Sequence, residues 1–261
     1  MNFRGGGASA NLLLARFQTE NKFQTKLKLC RFINAFTLAE VLITLGIIGV
    51  VAAMTLPSVI NNSRNKQLEA ALNKNYSVIS QALERYQADT GERITPAEVG
   101  TREFKSKIMP YFSVIKDCGY DKCLTSTGEG RNINTYRTYN SGIVTKTYID
   151  DGQFVLKDGS FVMIENTKVV PSEGSGFLDT TSVVFVSVDV NGYNKNPNKW
   201  GHDLFTFQLM ADGRLLPMGA NGTMFEDEST YCAISSSDNA NGIGCTYKAL
   251  TDKDYFKNLP R

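Results

Sequence analysis

The dominant hydrophobic pattern in this sequence is a long uncharged run near the N-terminus. Between Phe36 and Ile60 the only ionisable side chain is Glu40. These 25 residues, at about 1.5 Å each, give roughly 37 Å of helix, which is enough to cross a bilayer hydrocarbon core of about 30 Å. The run 36–60 therefore predicts a transmembrane helix that carries a single carboxylate near one end.

The residues that follow predict an amphipathic continuation of the same helix, from 61 to 91. Apolar side chains recur there at steps of three or four, as one face of a helix requires. They are Leu68, Leu72, Tyr76, Ile79, Leu83 and Tyr86. Pro57 is expected to kink the joint between the two stretches, because proline lacks a backbone N–H. Gly91 is expected to end the helix.

Residues 92–261 are expected to form an α+β head, which is long enough to bury a core. Thr95, Pro96 and Glu98 combine a capping hydroxyl, a first-turn proline and a capping-box carboxylate, and they predict a helix that runs to about Met109.

Strands are predicted for most of the remaining head. Runs of β-branched, aromatic and small residues are expected to be extended at 142–149, 153–156, 160–164, 181–190, 204–210 and 214–216. Asp158-Gly159 and Ala211-Asp212-Gly213 supply hairpin turns. Residues 126–141 and 233–244 are expected to be polar loops. The chain thus predicts one long helix followed by a meander of antiparallel strands.

A specific motif stands at the start of the apolar run. Ala35 is followed by Phe36-Thr37-Leu38-Ala39-Glu40 and then by the uncharged helix. This string resembles the N-terminal cleavage and methylation motif of the type IV pilins and type II secretion pseudopilins. The resemblance implies a prepilin leader at 1–35, and a prepilin peptidase that cuts between Ala35 and Phe36 and methylates the new amine. It also implies that Glu40 pairs with the N-terminal amine of a neighbouring subunit, and that Pro57 falls where these proteins break their helix.

The same resemblance implies a fold and a set of partners. The expected fold is α+β and pilin-like, with a long N-terminal membrane-spanning helix packed on an antiparallel β-sheet head. The expected partners are the prepilin peptidase, other pilin or pseudopilin subunits, an inner-membrane assembly platform and the membrane. A secretion pseudopilin and a type IV pilin for adhesion, motility or DNA uptake both stay open, as does the choice between a major and a minor subunit.

Two other interpretations of the N-terminal region also stay open. Glu40 alone could mark only the interfacial edge of a membrane anchor. The region could instead be an ordinary secretory signal, in which Val51-Ala52-Ala53 forms a small-residue cleavage site before Met54. The head would then be an exported binding domain, for example for carbohydrate, or an enzyme. The first residue of the mature protein, Phe36 or Met54, separates these classes.

Charge distribution indicates the orientation in the membrane. Residues 1–35 contain six basic residues and one acidic residue, a net of +5, and because the whole chain carries +2 the remainder carries −3. Basic residues before a spanning helix keep that end cytoplasmic. We therefore expect a single-pass protein of the inner membrane with an exported head. A basic run can also bind nucleic acid, but its place before a spanning helix and a cleavage motif favours a leader.

Cysteine usage agrees with export. Cys30 lies in the predicted leader, which leaves Cys118, Cys123, Cys232 and Cys245 in the head. An even set in an oxidising compartment predicts two disulfides. Three pairings are possible, and the local one, Cys118 with Cys123 and Cys232 with Cys245, is our prediction. The spacings are unlike those of zinc sites.

One loop of the head has the composition of a calcium site. The stretch 189–203 is rich in Asp and Asn, and its candidate ligands are Asp189, Asn191, Asn196, Asn198 and Asp203. Calcium prefers such hard oxygens, and the stretch resembles the calcium-binding loop of pseudopilins. It is not an EF-hand, because the bidentate glutamate is missing. The alternative is a turn whose Asx side chains cap their own backbone.

The sequence gives little support for catalysis. It contains one histidine, His202, and neither a nucleophile elbow nor a phosphate-cradling glycine loop. We therefore expect a protein that assembles into a filament, and not an enzyme.

Overall fold

The computed structural model describes residues 36–125, 130–169 and 181–260. The predicted leader, with Cys30 and Ala35, lies outside these residues, and so does part of the predicted loop at 126–141. The chain divides into two compact units, one up to Val51 and one from Ala52 onward.

Helix α1 spans Leu38–Thr90 and has Pro57 in its interior. Its buried side chains all lie in the C-terminal part: Leu68, Leu72, Asn75, Ile79 and Ala82. The remaining members of the predicted stripe are partly buried against the same core. Gly91 follows the helix with a φ of 82°, a left-handed backbone that glycine adopts without strain. The predicted amphipathic face and the predicted end of the helix are therefore confirmed.

The head is built on an antiparallel sheet of six strands. In chain order the strands of the structure are β1 Val114–Asp117, β2 Leu124–Thr125, β3 Arg131–Asn132, β4 Gly152–Leu156, β5 Phe161–Val169, β6 Thr181–Asp189, β7 Leu204–Leu209 and β8 Leu215–Pro217. The sheet has the order β1-β4-β5-β6-β7-β8, and β2 and β3 form a separate parallel pair. The predicted strands at 153–156, 160–164, 181–190 and 204–210 correspond to β4, β5, β6 and β7. The predicted strand at 214–216 corresponds to β8.

Both faces of the sheet are buried. On one face, Val162, Val186 and Phe207 belong to the same hydrophobic cluster as the buried side chains of α1. The Tyr76 ring of α1 stacks on the Phe207 ring, with 5.2 Å between the ring centroids. On the other face, Phe161, Met163, Phe185 and further residues pack against long loops that contribute Trp200 and Phe225. The alternation of side chains along each strand thus builds two hydrophobic clusters instead of one buried and one solvated face.

Three short helices and several 3₁₀ turns complete the described elements. They are α2 Phe104–Ile108, α3 Glu228–Tyr231 and α4 Cys245–Thr251, with 3₁₀ turns at Pro96–Glu98, Met109–Tyr111, Ile133–Thr135, Lys146–Tyr148 and Tyr255–Lys257. The predicted continuous helix from Thr95 to Met109 is wrong. Thr95 makes no side-chain capping bond, and Arg102 has a φ of 64°, a left-handed value that an α-helix cannot contain.

The predicted strand at 142–149 is also wrong. Ile143 makes only an isolated bridge to Arg137, and Lys146–Tyr148 forms a 3₁₀ turn. The Tyr148 ring packs against Trp200 and Phe225. Tertiary packing of this aromatic side chain therefore outweighs the local β-propensity of the segment.

Both predicted cysteine pairs lie at disulfide distance. The sulfur atoms of Cys118 and Cys123 are 2.03 Å apart, and those of Cys232 and Cys245 are 1.99 Å apart. The second pair encloses the predicted polar loop at 233–244, which consists of turns.

Candidate functional site

The start of helix α1 is closed by a reciprocal set of hydrogen bonds between Thr37 and Glu40. The Glu40 carboxylate accepts from the Thr37 backbone N–H at 2.8 Å and from its hydroxyl at 2.9 Å. The Thr37 hydroxyl oxygen in turn accepts from the Glu40 backbone N–H at 3.2 Å. This arrangement is a capping box. It was not predicted from the sequence, although the Thr-x-x-Glu spacing is its usual signal.

The apolar side chains that follow Glu40 are exposed. Phe36 is 83% exposed, and more than half of the surface of each of these side chains is also open: Leu42, Ile43, Leu45, Ile47, Ile48, Val50 and Val51. Within the described ranges, α1 is the one helix that is long and apolar enough to cross a membrane, by length and composition. A continuous apolar surface of this size needs a membrane or another protein to cover it. A membrane anchor and a signal sequence both have an apolar helix of this kind.

The loop between β6 and β7 brings the predicted calcium ligands together. Asn191 Nδ2 donates to Asp203 Oδ2 at 3.1 Å, and the Asn198 backbone N–H donates to the same oxygen at 2.8 Å. The Asn191 backbone N–H donates to Asp189 Oδ1 at 3.2 Å, and Asn191 Nδ2 lies 3.4 Å from the Asn196 carbonyl oxygen. All five residues therefore belong to one hydrogen-bonded group.

The two carboxylates of this loop are fully buried and well supplied with donors. Asp203 also accepts from the Lys199 backbone N–H at 2.7 Å. Asp189 accepts from the Tyr136 hydroxyl at 2.6 Å and from the Gly192 backbone N–H at 2.9 Å. Burial and the neighbouring Asp203 charge raise the pKa of Asp189 well above its usual range. Burial raises the pKa of Asp203 to about 6, against the opposing effect of its hydrogen-bond donors.

The loop also fits a calcium ion in its chemistry. Its side chains offer hard carboxylate and amide oxygens, which calcium prefers. One of these oxygens, Asn191 Oδ1, is buried without a hydrogen-bond partner among the described residues. A buried oxygen without a donor is unfavourable, and a cation would supply its partner. Asp189, Asn191 and Asp203 are the residues that would hold it.

A second acidic group lies at one edge of β4 and β5. Oxygens of Asp150, Asp151 and Glu165 lie within 4.8 Å of one another, so these residues could hold a metal ion. Asp151 accepts from Arg102 Nε at 2.6 Å. Glu165 is only 5% exposed, and its Oε2 has no hydrogen-bond partner in the described part of the chain. Burial and the two neighbouring carboxylates raise the pKa of Glu165 to about 9.

This acidic group was not predicted from the sequence. Its signal was a glutamate in the middle of a strand whose neighbouring residues are all apolar or uncharged, Phe161-Val-Met-Ile-Glu165-Asn-Thr. The proximity of Asp150 and Asp151 depends on the pairing of β4 with β5, in which the Asp151 backbone N–H donates to the Ile164 carbonyl.

His202 is a buried loop residue. Its ring lies 5.7 Å from the Tyr139 ring. Burial, with the positive charges of Lys199 and Arg64, lowers its pKa to about 3. The side chain is therefore neutral at physiological pH.

Comparison with known proteins adds no assignment. No protein-family model, no curated protein and no solved structure matches this chain. The N-terminal motif and the geometry described above are therefore the features that bear on function.

Proposed function

We propose that this chain is a membrane-anchored subunit of a pilin-like filament, of the type II secretion or type IV pilus kind, and that a prepilin peptidase processes it. One observation carries the proposal. The string Phe36-Thr37-Leu38-Ala39-Glu40 stands directly at the start of a long apolar helix whose side chains are exposed. The antiparallel sheet that buries the C-terminal part of that helix is compatible with a pilin-like layout.

The chemistry of Glu40 supports a role in assembly. A carboxylate in apolar surroundings is stabilised by a nearby cation, and cleavage after Ala35 creates one in the Phe36 amine. A carboxylate can accept about four hydrogen bonds, and in the structure Glu40 accepts two from Thr37. Pairing with the amine of a neighbouring subunit is therefore compatible with an intact capping box.

The function proposed is assembly without turnover. The helix first holds the subunit in the inner membrane, with the head exported because the basic residues precede the helix. It then leaves the lipid and packs against the helices of other subunits, with the help of an assembly platform in the same membrane.

Processing of the full chain tests this proposal. Co-expression with a prepilin peptidase should shorten the chain by 35 residues and leave a methylated Phe36 at the N-terminus, as mass spectrometry would show. Ala35→Leu should block the cut, because the peptidase must accommodate a small residue there. Ala39→Leu is the matched control, since it adds the same side-chain volume after the cut. A mature protein that begins with Met54 would contradict the proposal and favour an ordinary secretory signal.

We also propose that the loop at 189–203 binds calcium in the exported head. The supporting observations are its five oxygen-bearing side chains and the buried, unpartnered Asn191 Oδ1. The ion would hold the connection between β6 and β7 in place by neutralising Asp189 and Asp203.

A further inference from the structure

A cavity of about 690 Å³ lies beside α1, close to the end of the predicted membrane span. Met54, Pro57 and Ser58, from the last two turns of that span, contribute to its lining. The β6–β7 loop contributes Lys199 and His202. The cavity thus joins the helix to the loop that carries the proposed calcium site.

The lining of this cavity carries an excess of positive charge. Arg64, Lys199 and Lys257 belong to it, whereas no aspartate or glutamate is among the described residues that line it. Arg64 donates to the backbone carbonyl of Asn196. Lys199 Nζ donates to the Ser141 hydroxyl at 3.2 Å. Both acceptors are neutral, and neither Arg64 nor Lys199 forms an ion pair within the part of the chain that the structure describes. Lys257 differs, because its Nζ pairs with Asp254 Oδ1 at 2.6 Å. Arg64 and Lys199 therefore supply the uncompensated charge.

Two of the polar side chains that line the cavity are almost completely buried. Lys199 is 7% exposed and His202 is 8% exposed, and His202 Nε2 has no hydrogen-bond partner among the described residues. A buried cation without a counter-charge is unfavourable, and so is a buried ring nitrogen without a partner. An anion in the cavity would supply a counter-charge to Lys199 and an acceptor to His202 in its Nε2–H tautomer.

The donors of the cavity are suited to a phosphate group. A guanidinium presents several N–H donors to phosphate oxygens, and an ammonium adds a point charge. We propose that this cavity binds an anionic phosphate group, and that in the membrane the group belongs to a phospholipid headgroup. The lipid source rests on the proposed function, because Met54, Pro57 and Ser58 lie near the headgroups only if the helix spans the bilayer. The phosphate chemistry itself does not depend on it.

Lipid retention by the full chain provides the first test. The protein would be purified from bilayers with equal amounts of phosphatidylglycerol and phosphatidylcholine, and the retained lipids counted by mass spectrometry. We expect enrichment of phosphatidylglycerol. Arg64→Gln with Lys257→Gln should reduce it by at least about fivefold, mainly through the loss of the unpaired Arg64 charge. Lys116→Gln with Lys122→Gln removes the same charge from exposed positions outside the cavity, and should retain the enrichment.

A second test uses inorganic phosphate as the probe. Thermal unfolding of the full chain in a neutral detergent would be followed in phosphate and in chloride at equal ionic strength. Phosphate should raise the melting temperature of the parent and of the Lys116/Lys122 variant, but not that of the Arg64/Lys257 variant. This result means that the cavity binds phosphate. If lipid enrichment is absent at the same time, the bound phosphate comes from a soluble source. If both tests give no difference, or if the two double variants behave alike, the proposal is overturned. A chain that does not float with vesicles contradicts the membrane anchor instead, and the phosphate test still decides the chemistry of the cavity.

Discussion

The capping box allows the two roles of Glu40 to be separated by substitution. Glu40→Gln removes the charge but keeps a side-chain oxygen that can accept from the Thr37 N–H, since glutamine also serves in capping boxes. Glu40→Ala removes the charge and both hydrogen bonds that the side chain accepts from Thr37, and keeps the bond from the backbone N–H of residue 40 to the Thr37 hydroxyl. If the charge pairs with a neighbouring N-terminal amine, both variants should insert into the membrane and both should assemble poorly.

The magnitudes follow from the hydrogen bonds at this site. Loss of an N-terminal cap costs about 1 kcal/mol, whereas a hydrogen bond to a charged group contributes about 1.5–3 kcal/mol. At about 2 kcal/mol for each subunit contact, Glu40→Gln should weaken subunit addition roughly 30-fold. Glu40→Ala should weaken it by about fivefold more, because the Glu40 half of the capping box is also lost. Neither variant should impair insertion, because a charge in the membrane opposes it by up to about 3 kcal/mol.

Assembly and insertion would be measured in the same cells, in which the variant replaces the parent. Sheared filaments are collected by sedimentation and quantified against the membrane fraction. Thr37→Ala is the matched control, because it removes the capping hydroxyl and leaves the Glu40 charge. It should assemble much better than Glu40→Gln. If Glu40→Gln assembles like the parent while Thr37→Ala and Glu40→Ala fail, the charge-pairing argument is refuted and Glu40 acts only as a helix cap.

Two further predictions concern the head. Because the pKa of Glu165 is raised to about 9 from 4.5, the folded state holds a proton that the unfolded state releases, and the free energy of unfolding should fall as pH rises from about 4.5 to about 9. In chelator, Glu165→Gln should flatten this dependence on pH. It should also stabilise the protein by about 2 kcal/mol at pH 7, a value that includes a reduction of the free energy by about half for solvent screening. An unchanged pH profile of chemical unfolding would contradict this prediction. Calcium at a hundredfold above Kd should stabilise the parent by about 2.7 kcal/mol relative to chelator, which raises its melting temperature. Asp189→Asn should abolish this shift in melting temperature. Asp121→Asn, at an exposed position outside the loop, should retain it. No calcium-dependent shift in the parent would leave the loop as an Asx-rich turn.

Local patterns were sufficient to predict the elements whose stability is itself local. The stripe that includes Leu68, Leu72 and Ile79 predicts which face of α1 is buried, because a period of 3.6 residues places these side chains on one face of the helix. Gly159 and Gly213 lie in the predicted turns with φ of 91° and 76°, values that glycine readily adopts. The hairpins β4–β5 and β7–β8 follow directly from these turns.

Elements that depend on distant contacts were not predictable in the same way. The segment before α2 breaks at Arg102, whose backbone N–H donates to the Asn166 carbonyl on β5. A capping pattern at Thr95 contains no information about that strand. The acidic group around Glu165 and the cavity beside α1 likewise join residues that are far apart in sequence, so their charges become a site only after the sheet has formed.

The forces available to the exposed part of α1 bear on how a filament would assemble. Moving an apolar helix from lipid into a bundle of similar helices gains little from the hydrophobic effect, because lipid tails are as apolar as leucine. Association must therefore come from close packing and from polar contacts. Gly46 and Gly49 offer close packing, because at both positions the space beside the helix backbone is open within the described residues, and another backbone can approach there. Glu40 offers the second. A bulky substitution such as Gly46→Leu should therefore leave insertion unchanged and reduce assembly, whereas Leu45→Ile, which keeps side-chain volume on the same helix, should affect neither. Equal assembly of the Gly46 variant and the parent would mean that the filament contact does not use this surface.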